Sequence, residues 1–519
     1  MKTLIQQLNK VSAKQLYITS ILLGLLFAIQ IQYIQHGWIN PDSVLYFESA
    51  RLFAAGDWQA AVNTFPWPLY SILIACTHKI TGLDIHASAQ LLSVIFFGIV
   101  TASFLKIIQI AGGTIKSMFA GTLILFSSHY LAGGVLEMLL RDQGFWAFYL
   151  ASLLFFIRFY KFAQQRDALL WQVCAILATL FRIEAISYLI LLPLVLLLQK
   201  QHPWKQRIHL FVTCNSLNIV ALLSIFSVLL FSEHITIEHF GRLKEVFTTN
   251  LVHELTQLFS AKSTLMSQQV LGKYLEEFAV PGLLLTFIYV MLMKTISSAG
   301  IVNIALAALS IKHKPQLIDR QTFEVLSASA IVAILNMALI ITKVFVLSGR
   351  YVLALALVIM LLAALYLGQM LERLTSGTPA KQKWLTYAIL IFLLLSLVKN
   401  ILPKADGYHY QQDAVSWLKQ HNPDNKPVFY SEPRLRYYAN EPFNGLWLNS
   451  KEKVESAIAD QSIQQYDYLV ISLSNKHPAD IKRITEILQN FYEIKRFNDV
   501  KAVKFVVIYR KNQLNNTIQ

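Results

Sequence analysis

The sequence predicts a polytopic α-helical membrane protein, with about 11 transmembrane helices and a soluble α/β domain at the C-terminal end. Three observations support this fold class. Of the 519 residues, 55% are hydrophobic and 14% are charged, and the mean hydropathy is +0.48, which is too apolar for a soluble protein. Apolar runs of about twenty residues, the length that crosses a bilayer, recur as far as residue 402. From Pro403 onward, charged residues, proline and asparagine become frequent.

The apolar runs define the predicted spans. One run, 281–311, is too long for a single straight helix, so an interfacial segment and a span are expected within it. The spans are predicted near residues 15–36, 87–108, 117–134, 144–160, 168–181, 185–199, 209–232, 281–311, 323–347, 350–369 and 384–402. Together they predict a transmembrane domain over 1–402, with long outer loops at 37–86 and 233–280.

The charged residues predict how these spans are oriented. The formal net charge is +15, and lysine and arginine concentrate in alternate loops, whereas the loop 37–86 is rich in acids. Because basic residues in short loops mark the cytoplasmic side, the N-terminus is predicted to be cytoplasmic and the domain 403–519 to lie outside. The charge is therefore a topology signal, and no nucleic-acid partner is predicted. The basic clusters are Lys2, Lys10 and Lys14; Lys106 and Lys116; Arg158, Lys161 and Arg166; Lys200, Lys205 and Arg207; Lys312, Lys314 and Arg320; and Arg373, Lys381 and Lys383.

Two parts of the chain outside the spans have predicted secondary structure. The loop 37–86 contains helical stretches at 43–55 and 68–80, which are predicted to lie along the membrane. A crossing by 68–80 is the less favoured alternative, because it would reverse the side of every later loop. The C-terminal domain is predicted to contain helices at 414–419, 451–459 and 480–490 and strands at 428–431, 468–473 and 503–509.

The segment 40–51 is the most informative part of the first outer loop. Pro41 disfavours helix geometry at its predecessor, so Asp42 is predicted to cap the following helix and to hold a carboxylate outside the first span. Asp42 is therefore either a functional acid or only a helix cap, and the residues alone do not decide between these. Glu48 and Arg51, spaced i and i+3, are predicted to form a surface ion pair in preference to a catalytic group.

Two further charged pairs lie at predicted outer ends of spans. Arg141 and Asp142 precede the fourth span, and a carboxylate at a membrane edge indicates function by default, since it is costly there. The alternative is an ordinary loop charge pair. Arg182 and Glu184 separate two apolar stretches, where they either line a cavity or pair while reaching for lipid headgroups.

Arg350 and Tyr351 open the tenth predicted span from outside. The guanidinium suits an anionic phosphate and the ring suits a lipid or a sugar, although an interfacial anchor is an equal alternative. The chain has no Walker motif and no GxGxxG after a strand, so a nucleotide-driven pump and a Rossmann-type enzyme are not indicated. No metal site is predicted from histidine or cysteine spacing.

The same residues carry a family resemblance. Asn40-Pro41-Asp42 with Ala55-Gly56-Asp57-Trp58 resembles the first outer loop of lipid-phosphate-dependent glycosyltransferases of the GT-C superfamily. The similarity is to bacterial members related to protein mannosyltransferases and to the aminoarabinose transferase of lipid A. Arg141-Asp142, Phe181-Arg182-Ile183-Glu184 and Arg350-Tyr351 resemble later motifs of that superfamily.

The resemblance implies a GT-C fold and inverting transfer of a sugar from a polyprenyl-phosphate carrier to an acceptor hydroxyl on a lipid, glycan or protein. It implies an inner-membrane protein, surrounded by membrane lipids, whose C-terminal domain is periplasmic. Asp42 would be the general base and Asp142 would orient acceptor or sugar. The further substrate or phosphate ligands would be Arg350, Arg182, Glu184, Tyr351, Glu48 and Arg141. An obligatory divalent metal is not favoured, since each of the two acidic motifs has a single acid where metal-dependent members have a pair.

Two other functions stay open. A transporter or flippase for a lipid-linked saccharide would use the same outer acids and arginines. The chain shows no matched repeats with interrupted spans in both halves, whereas one oversized outer loop favours an enzyme. The third reading is a GT-C-like assembly partner without catalysis.

Overall fold

The protein is mostly helical and divides into two compact units. The computed structural model describes residues 10–231, 250–313, 317–374, 379–403, 409–442 and 450–512. The first unit comprises 1–33 and 87–402, and the second comprises 34–86 and 403–519.

The helices and strands of the described residues are numbered in chain order. The helices are α1 Ala13–Tyr33, α2 Pro41–Ala55, α3 Trp58–Thr64, α4 Leu69–Thr81, α5 Ile85–Ile110, α6 Ile115–Ser127, α7 Asp142–Phe162, α8 Gln165–Phe181, α9 Ile186–Leu191, α10 Trp204–Cys214, α11 Ser216–Phe231, α12 Leu251–Met266, α13 Ala279–Ala299, α14 Ile301–Lys312, α15 Arg320–Val344, α16 Gly349–Arg373, α17 Ala380–Ile401, α18 Tyr410–His421, α19 Pro433–Ala439, α20 Ser450–Ala459 and α21 Pro478–Ile487. The strands are β1 Val428–Tyr430, β2 Tyr468–Ser474, β3 Phe491–Asn498 and β4 Lys504–Lys511.

The first unit makes the chain a multi-pass membrane protein. Within the described residues, 7 helices are long and apolar enough to cross a membrane, or up to 9 if each of two bent pairs forms one span. Every predicted span contains helix, but α8 has only 17 residues and Ile183–Leu198 is a short stretch interrupted at Pro193. Proline lacks the amide donor that a helix interior requires, which explains the change to 3₁₀ turns there. The run 281–311 is two helices, because Gly300 adopts φ +82° between α13 and α14.

The span between α6 and α7 is broken. After α6 the chain forms a π turn, Leu131–Val135, and a 3₁₀ turn, Leu136–Met138, which together bend by 41° from α6. Leu139 then takes a left-handed conformation with φ +52° and is buried. Irregular backbone at membrane depth is tolerated only where protein groups satisfy its polar atoms.

Three side-chain amides provide that satisfaction. Gln32 Nε2 donates to the Leu136 carbonyl at 2.7 Å, and Gln143 Nε2 donates to the same oxygen at 2.8 Å. Asn400 Nδ2 donates to the carbonyls of Phe126 at 3.0 Å and Ser128 at 3.3 Å. These amides come from α1, α7 and α17, so helices from both ends of the first unit are hydrogen-bonded to the broken span. We name Gln32, Gln143 and Asn400 the amide clasp.

Removing one amide of the clasp should destabilise the first unit. Asn400→Leu is expected to lower the free energy of unfolding by about 1–3 kcal/mol, because two backbone carbonyls lose their side-chain donor in an apolar interior. Thermal unfolding of the detergent-solubilised protein checks this. Gln30→Leu is the matched control, since the Gln30 amide makes one exposed 3.4 Å bond to the Ile401 carbonyl. Equal melting temperatures for the two variants would contradict the role of the clasp.

In the second unit, the predicted outer loop 37–86 contains the two predicted helices as α2 and α4, with the short α3 between them. The predicted cap of α2 is wrong, because Asn40 is the N-cap and its side-chain oxygen accepts from the Asp42 amide at 3.0 Å. Pro41 is the first helical residue, a position that tolerates proline since no amide donor is needed there. Asp42 therefore lies within the first turn, and its carboxylate is not needed as a helix cap.

The C-terminal part of the second unit is a four-stranded mixed sheet with helices on both faces. Its strand order is β1-β2-β4-β3, with β1 parallel to β2 and the other pairs antiparallel. One face packs on α20 and α21, and the other packs on α18 and α19. The predicted strands and helices are confirmed, and β3 and α19 are additional. The first residues of the predicted outer loop 233–280 lie outside the described residues.

Candidate functional site

The centre of the candidate site is a buried ion pair between Asp142 and Arg182. Asp142 is the first residue of α7 and 1% exposed, and Arg182 directly follows α8 and is 4% exposed. Arg182 Nη1 contacts Asp142 Oδ1, and Arg350 Nη1 lies 3.8 Å from Asp142 Oδ2. The carboxylate also faces the positive end of its own helix, which stabilises its charge.

A glycine explains how the two ends of α7 and α8 approach each other. The aromatic ring of Phe181 occupies the space where a Cβ of Gly144 would stand. Phe181 is in turn held by Phe148, stacked at 5.7 Å, and by Phe96, edge-on at 5.3 Å. Because Gly144 follows Asp142 by two residues and Phe181 precedes Arg182, this packing brings the carboxylate to the guanidinium.

Arg182 is fully engaged by its neighbours. Its Nε and Nη2 both donate to Glu184 at 3.3 Å, and its guanidinium carbon lies 4.3 Å from the centre of the Tyr351 ring. The alternatives of a surface loop pair for Asp142 and of headgroup contact for Arg182 do not fit this burial. A buried charge network of this kind is costly to assemble and strongly destabilising to break.

Arg350 and Tyr351 lie at the N-terminus of α16. The helix begins at Gly349, where a Cβ would stand only 2.6 Å from the Tyr130 hydroxyl oxygen, so glycine permits this close contact. The Arg350 side chain is 25% exposed, in contrast to the buried Arg182. A cation and the backbone amides of a helix N-terminus together favour the binding of an anion.

An amphipathic cavity of about 440 Å³ adjoins this network. Along one face of α15, the residues Asn336, Leu339, Ile340, Lys343 and Val344 line it. Asn336 and Lys343 are seven residues apart, which is about 10 Å along a helix, so polar groups occur at two levels of an otherwise apolar wall. The remaining lining residues are Arg141, Ile183, Glu184, Ile186, Ser187, Ile190, Leu191 and Tyr351. The cavity therefore combines cationic groups with an aliphatic surface.

Hydrogen bonds fix the polar wall of this cavity. Ser187 Oγ donates to Asn336 Oδ1 at 2.7 Å, and Asn336 Nδ2 donates to the Glu184 carbonyl at 3.2 Å. Lys343 forms an ion pair with Glu254 of α12 at 3.5 Å. The described part of the predicted outer loop 233–280 thus contacts a residue that lines the cavity.

Asp42 and Glu48 belong to the second unit. Asp42 is partly exposed in the first turn of α2, and the Glu48 carboxylate accepts from Arg51 at 2.5 Å and 3.1 Å, which confirms that ion pair. Among the residues that the structure describes, no three histidine, cysteine, aspartate or glutamate side chains group together as metal ligands would.

Sequence reasoning did not single out Asn336, Lys343 or Gly144. Asn336 and Lys343 could have been identified from the sequence, since polar residues inside predicted spans indicate a cavity or an interhelical contact. Gly144 had none, because its importance depends on a ring that is 37 residues away in sequence.

Comparison with solved structures gives structural similarities, but the sequence comparisons give none. No protein-family model and no curated protein matches the sequence. The fold is similar to two cryo-EM structures of the arabinofuranosyltransferase AftD from mycobacteria, one of them a single-residue variant, with TM-scores of 0.46 and 0.47 and 14% identity. The matches cover 97% and 96% of this chain but 40% and 42% of theirs, so the chain spans about two fifths of the length of AftD.

Proposed function

We propose that this chain is a GT-C-type glycosyltransferase of the bacterial inner membrane that transfers a sugar from a polyprenyl-phosphate carrier to an acceptor hydroxyl on the periplasmic side. The observation that carries the proposal is the amphipathic cavity beside the Asp142, Arg182, Glu184 and Arg350 network. A lipid phosphate needs both a cationic contact and an aliphatic wall, and these residues supply the two together.

The reaction is a displacement at the anomeric carbon. The acceptor oxygen forms a bond to that carbon, and the bond to the phosphate oxygen breaks with its electron pair leaving on the phosphate. The acceptor proton passes to a carboxylate, for which the family resemblance favours Asp42. Asp42 is partly exposed and lies in the first turn of α2, and its side chain does not serve as the N-cap of that helix.

The two arginines receive different roles in this proposal. Arg350 is a phosphate ligand, because it is part-exposed at a helix N-terminus and would stabilise the charge that builds on the leaving group. Arg182 is a positioning residue, because its donors already contact Asp142 and Glu184. Asp142 then orients the acceptor or the sugar through its fixed place in this network.

One observation favours the transporter as a second candidate. Two candidate spans each consist of two helical segments with a bend between them. The bend is 41° between Ile115–Ser127 and Leu131–Met138, and 58° between Trp204–Cys214 and Ser216–Ser224. Interrupted spans are frequent in transporters. The first break, however, is held by the amide clasp, which ties it to three helices and opposes the movement that alternating access requires.

Binding of a lipid phosphate tests the proposal. Arg350→Gln is expected to weaken binding of undecaprenyl phosphate by about tenfold, the loss that one charge-assisted hydrogen bond predicts. Native mass spectrometry of the detergent-solubilised full chain measures the bound fraction during a titration. The matched control is Arg320→Gln, whose side chain is 85% exposed and pairs with Glu324. Equal affinities for both variants would remove Arg350 from the phosphate site.

A further inference from the structure

The second unit contains a pocket of its own, of about 190 Å³. One face of α2 forms a wall, since Phe47, Glu48 and Arg51 are spaced at helical intervals along it. Tyr437 of α19 and the two residues after that helix, Asn440 and Glu441, form the opposite wall. The pocket is therefore built from the outer loop and from the C-terminal part of the chain.

The polar groups of this pocket come from both of its walls. Arg51 donates to both carboxylate oxygens of Glu48, at 2.5 Å and 3.1 Å, which fixes the planes of the two groups against each other. Asn440 has a left-handed backbone with φ +62° and an exposed side chain. Burial raises the pKa of Glu441, partly offset by Arg436 at 4.0 Å. Donors and acceptors thus line the pocket from both walls.

The aromatic part of the pocket is also fixed. The Tyr437 ring lies 5.8 Å from the Phe47 ring, and its hydroxyl is hydrogen-bonded to His86 Nδ1 at 2.8 Å. Phe47 also meets the His86 ring edge-on at 5.6 Å. A sugar ring presents apolar C–H faces as well as hydroxyls, so a fixed aromatic surface beside planar polar side chains matches it.

We propose that this pocket binds one uncharged sugar residue of the acceptor, which identifies the acceptor as a saccharide. The inference rests on the proposed glycosyltransferase function. The cavity of the first unit is proposed to bind the lipid-phosphate donor, and this pocket is proposed to bind the acceptor. Among the described lining residues Arg51 is the one cation, and it is already paired with Glu48, so an anionic sugar or a phosphate is disfavoured. The small volume excludes a polyprenyl chain.

Saturation-transfer NMR on the full chain in nanodiscs tests the pocket directly. The probes are methyl α-D-mannopyranoside, methyl β-D-galactopyranoside and methyl α-D-arabinofuranoside. We expect at least one probe to give a signal that falls at least fivefold in Arg51→Gln. Arg496→Gln is the matched control, because Arg496 forms the same i, i+3 pair with Glu493, at 2.7 Å and 3.0 Å, on β3. That control should retain the wild-type signal.

A second variant tests the same pocket in case Arg51→Gln loses its signal through misfolding. Asn440→Gly keeps the left-handed backbone while removing the amide, and it should lower the signal of the same probe. If no probe gives a signal, or if Arg51→Gln and Arg496→Gln behave alike, the saccharide subsite is overturned. The undecaprenyl phosphate titration of Arg350→Gln is independent of this result. If the wild-type chain binds undecaprenyl phosphate while the NMR experiment fails, only the acceptor subsite is overturned. If the wild-type chain does not bind undecaprenyl phosphate, the result counts against the glycosyltransferase itself.

Discussion

Asp42→Asn is expected to lower sugar transfer by about 10³-fold, the contribution of a well-placed general base. An amide cannot accept the acceptor proton, so the attacking oxygen would stay protonated and poorly nucleophilic. The fold should survive, because the cap of α2 is Asn40 and its bond to the backbone amide of residue 42 does not use the replaced side chain. Activity should therefore fall without a fall in membrane level.

The measurement is mass spectrometry of envelope glycolipids, polysaccharides and glycoproteins from a deletion strain complemented with each variant. Asp57→Asn is the matched control from the same loop. Asp57 caps α3 by accepting from the Ala60 amide at 3.0 Å, and asparagine caps a helix equally well. If Asp42→Asn restores the missing sugar as fully as Asp57→Asn does, Asp42 is not the base, and the transporter hypothesis is favoured.

Arg182→Met is expected to destabilise the first unit by about 3–5 kcal/mol, the cost of leaving a buried ion partner uncompensated. Asp142 is 1% exposed, and among the described residues its remaining cationic neighbour would be Arg350 at 3.8 Å. Glu184 would lose both donors at 3.3 Å. Thermal unfolding of the solubilised protein should show a much larger decrease than for Arg320→Gln, whose exposed pair contributes less than about 1 kcal/mol.

A double variant separates lost charge pairing from lost packing. In Asp142→Asn combined with Arg182→Met, the buried carboxylate is gone, so part of the stability should return relative to Arg182→Met alone. The expected coupling between the two positions is about 0.5–3 kcal/mol, as for residues in one network. Purely additive effects would show that Arg182 stabilises the unit by packing and not by its charge.

The sequence predicted the membrane character and the two helices of the first outer loop, since long apolar runs and helical periodicity are local signals. Its count of about 11 spans was too high, because the described residues contain 7 to 9 helices long and apolar enough to cross a membrane. It placed the cap of α2 two residues too late, because proline can occupy the first turn of a helix instead of preceding it. It missed β3, an edge strand whose Glu493, Lys495 and Arg496 are exposed, because charged residues on an edge obscure the alternation of a strand.

The candidate site was predictable as a set of residues but not as an arrangement. Asp142, Arg182, Glu184, Arg350 and Tyr351 were each singled out by charge at a span end, and the structure brings all five together. Their pairing depends on tertiary packing between helices far apart in sequence, for which a single sequence carries no periodic signal.

The broken span has a consequence for where the protein can move. Irregular turns inside helices are commonly taken as hinges, yet the amide clasp hydrogen-bonds this one to three helices and most of it is buried. Its backbone amides should therefore exchange with solvent deuterium as slowly as those of the surrounding helices. By contrast, α12 is largely exposed, and its contacts include the ion pair of Glu254 with Lys343 and the Lys262 ammonium 5.5 Å from the centre of the Phe345 ring. Movements within the first unit should therefore occur around the interrupted helix, which stays a fixed point of the bundle.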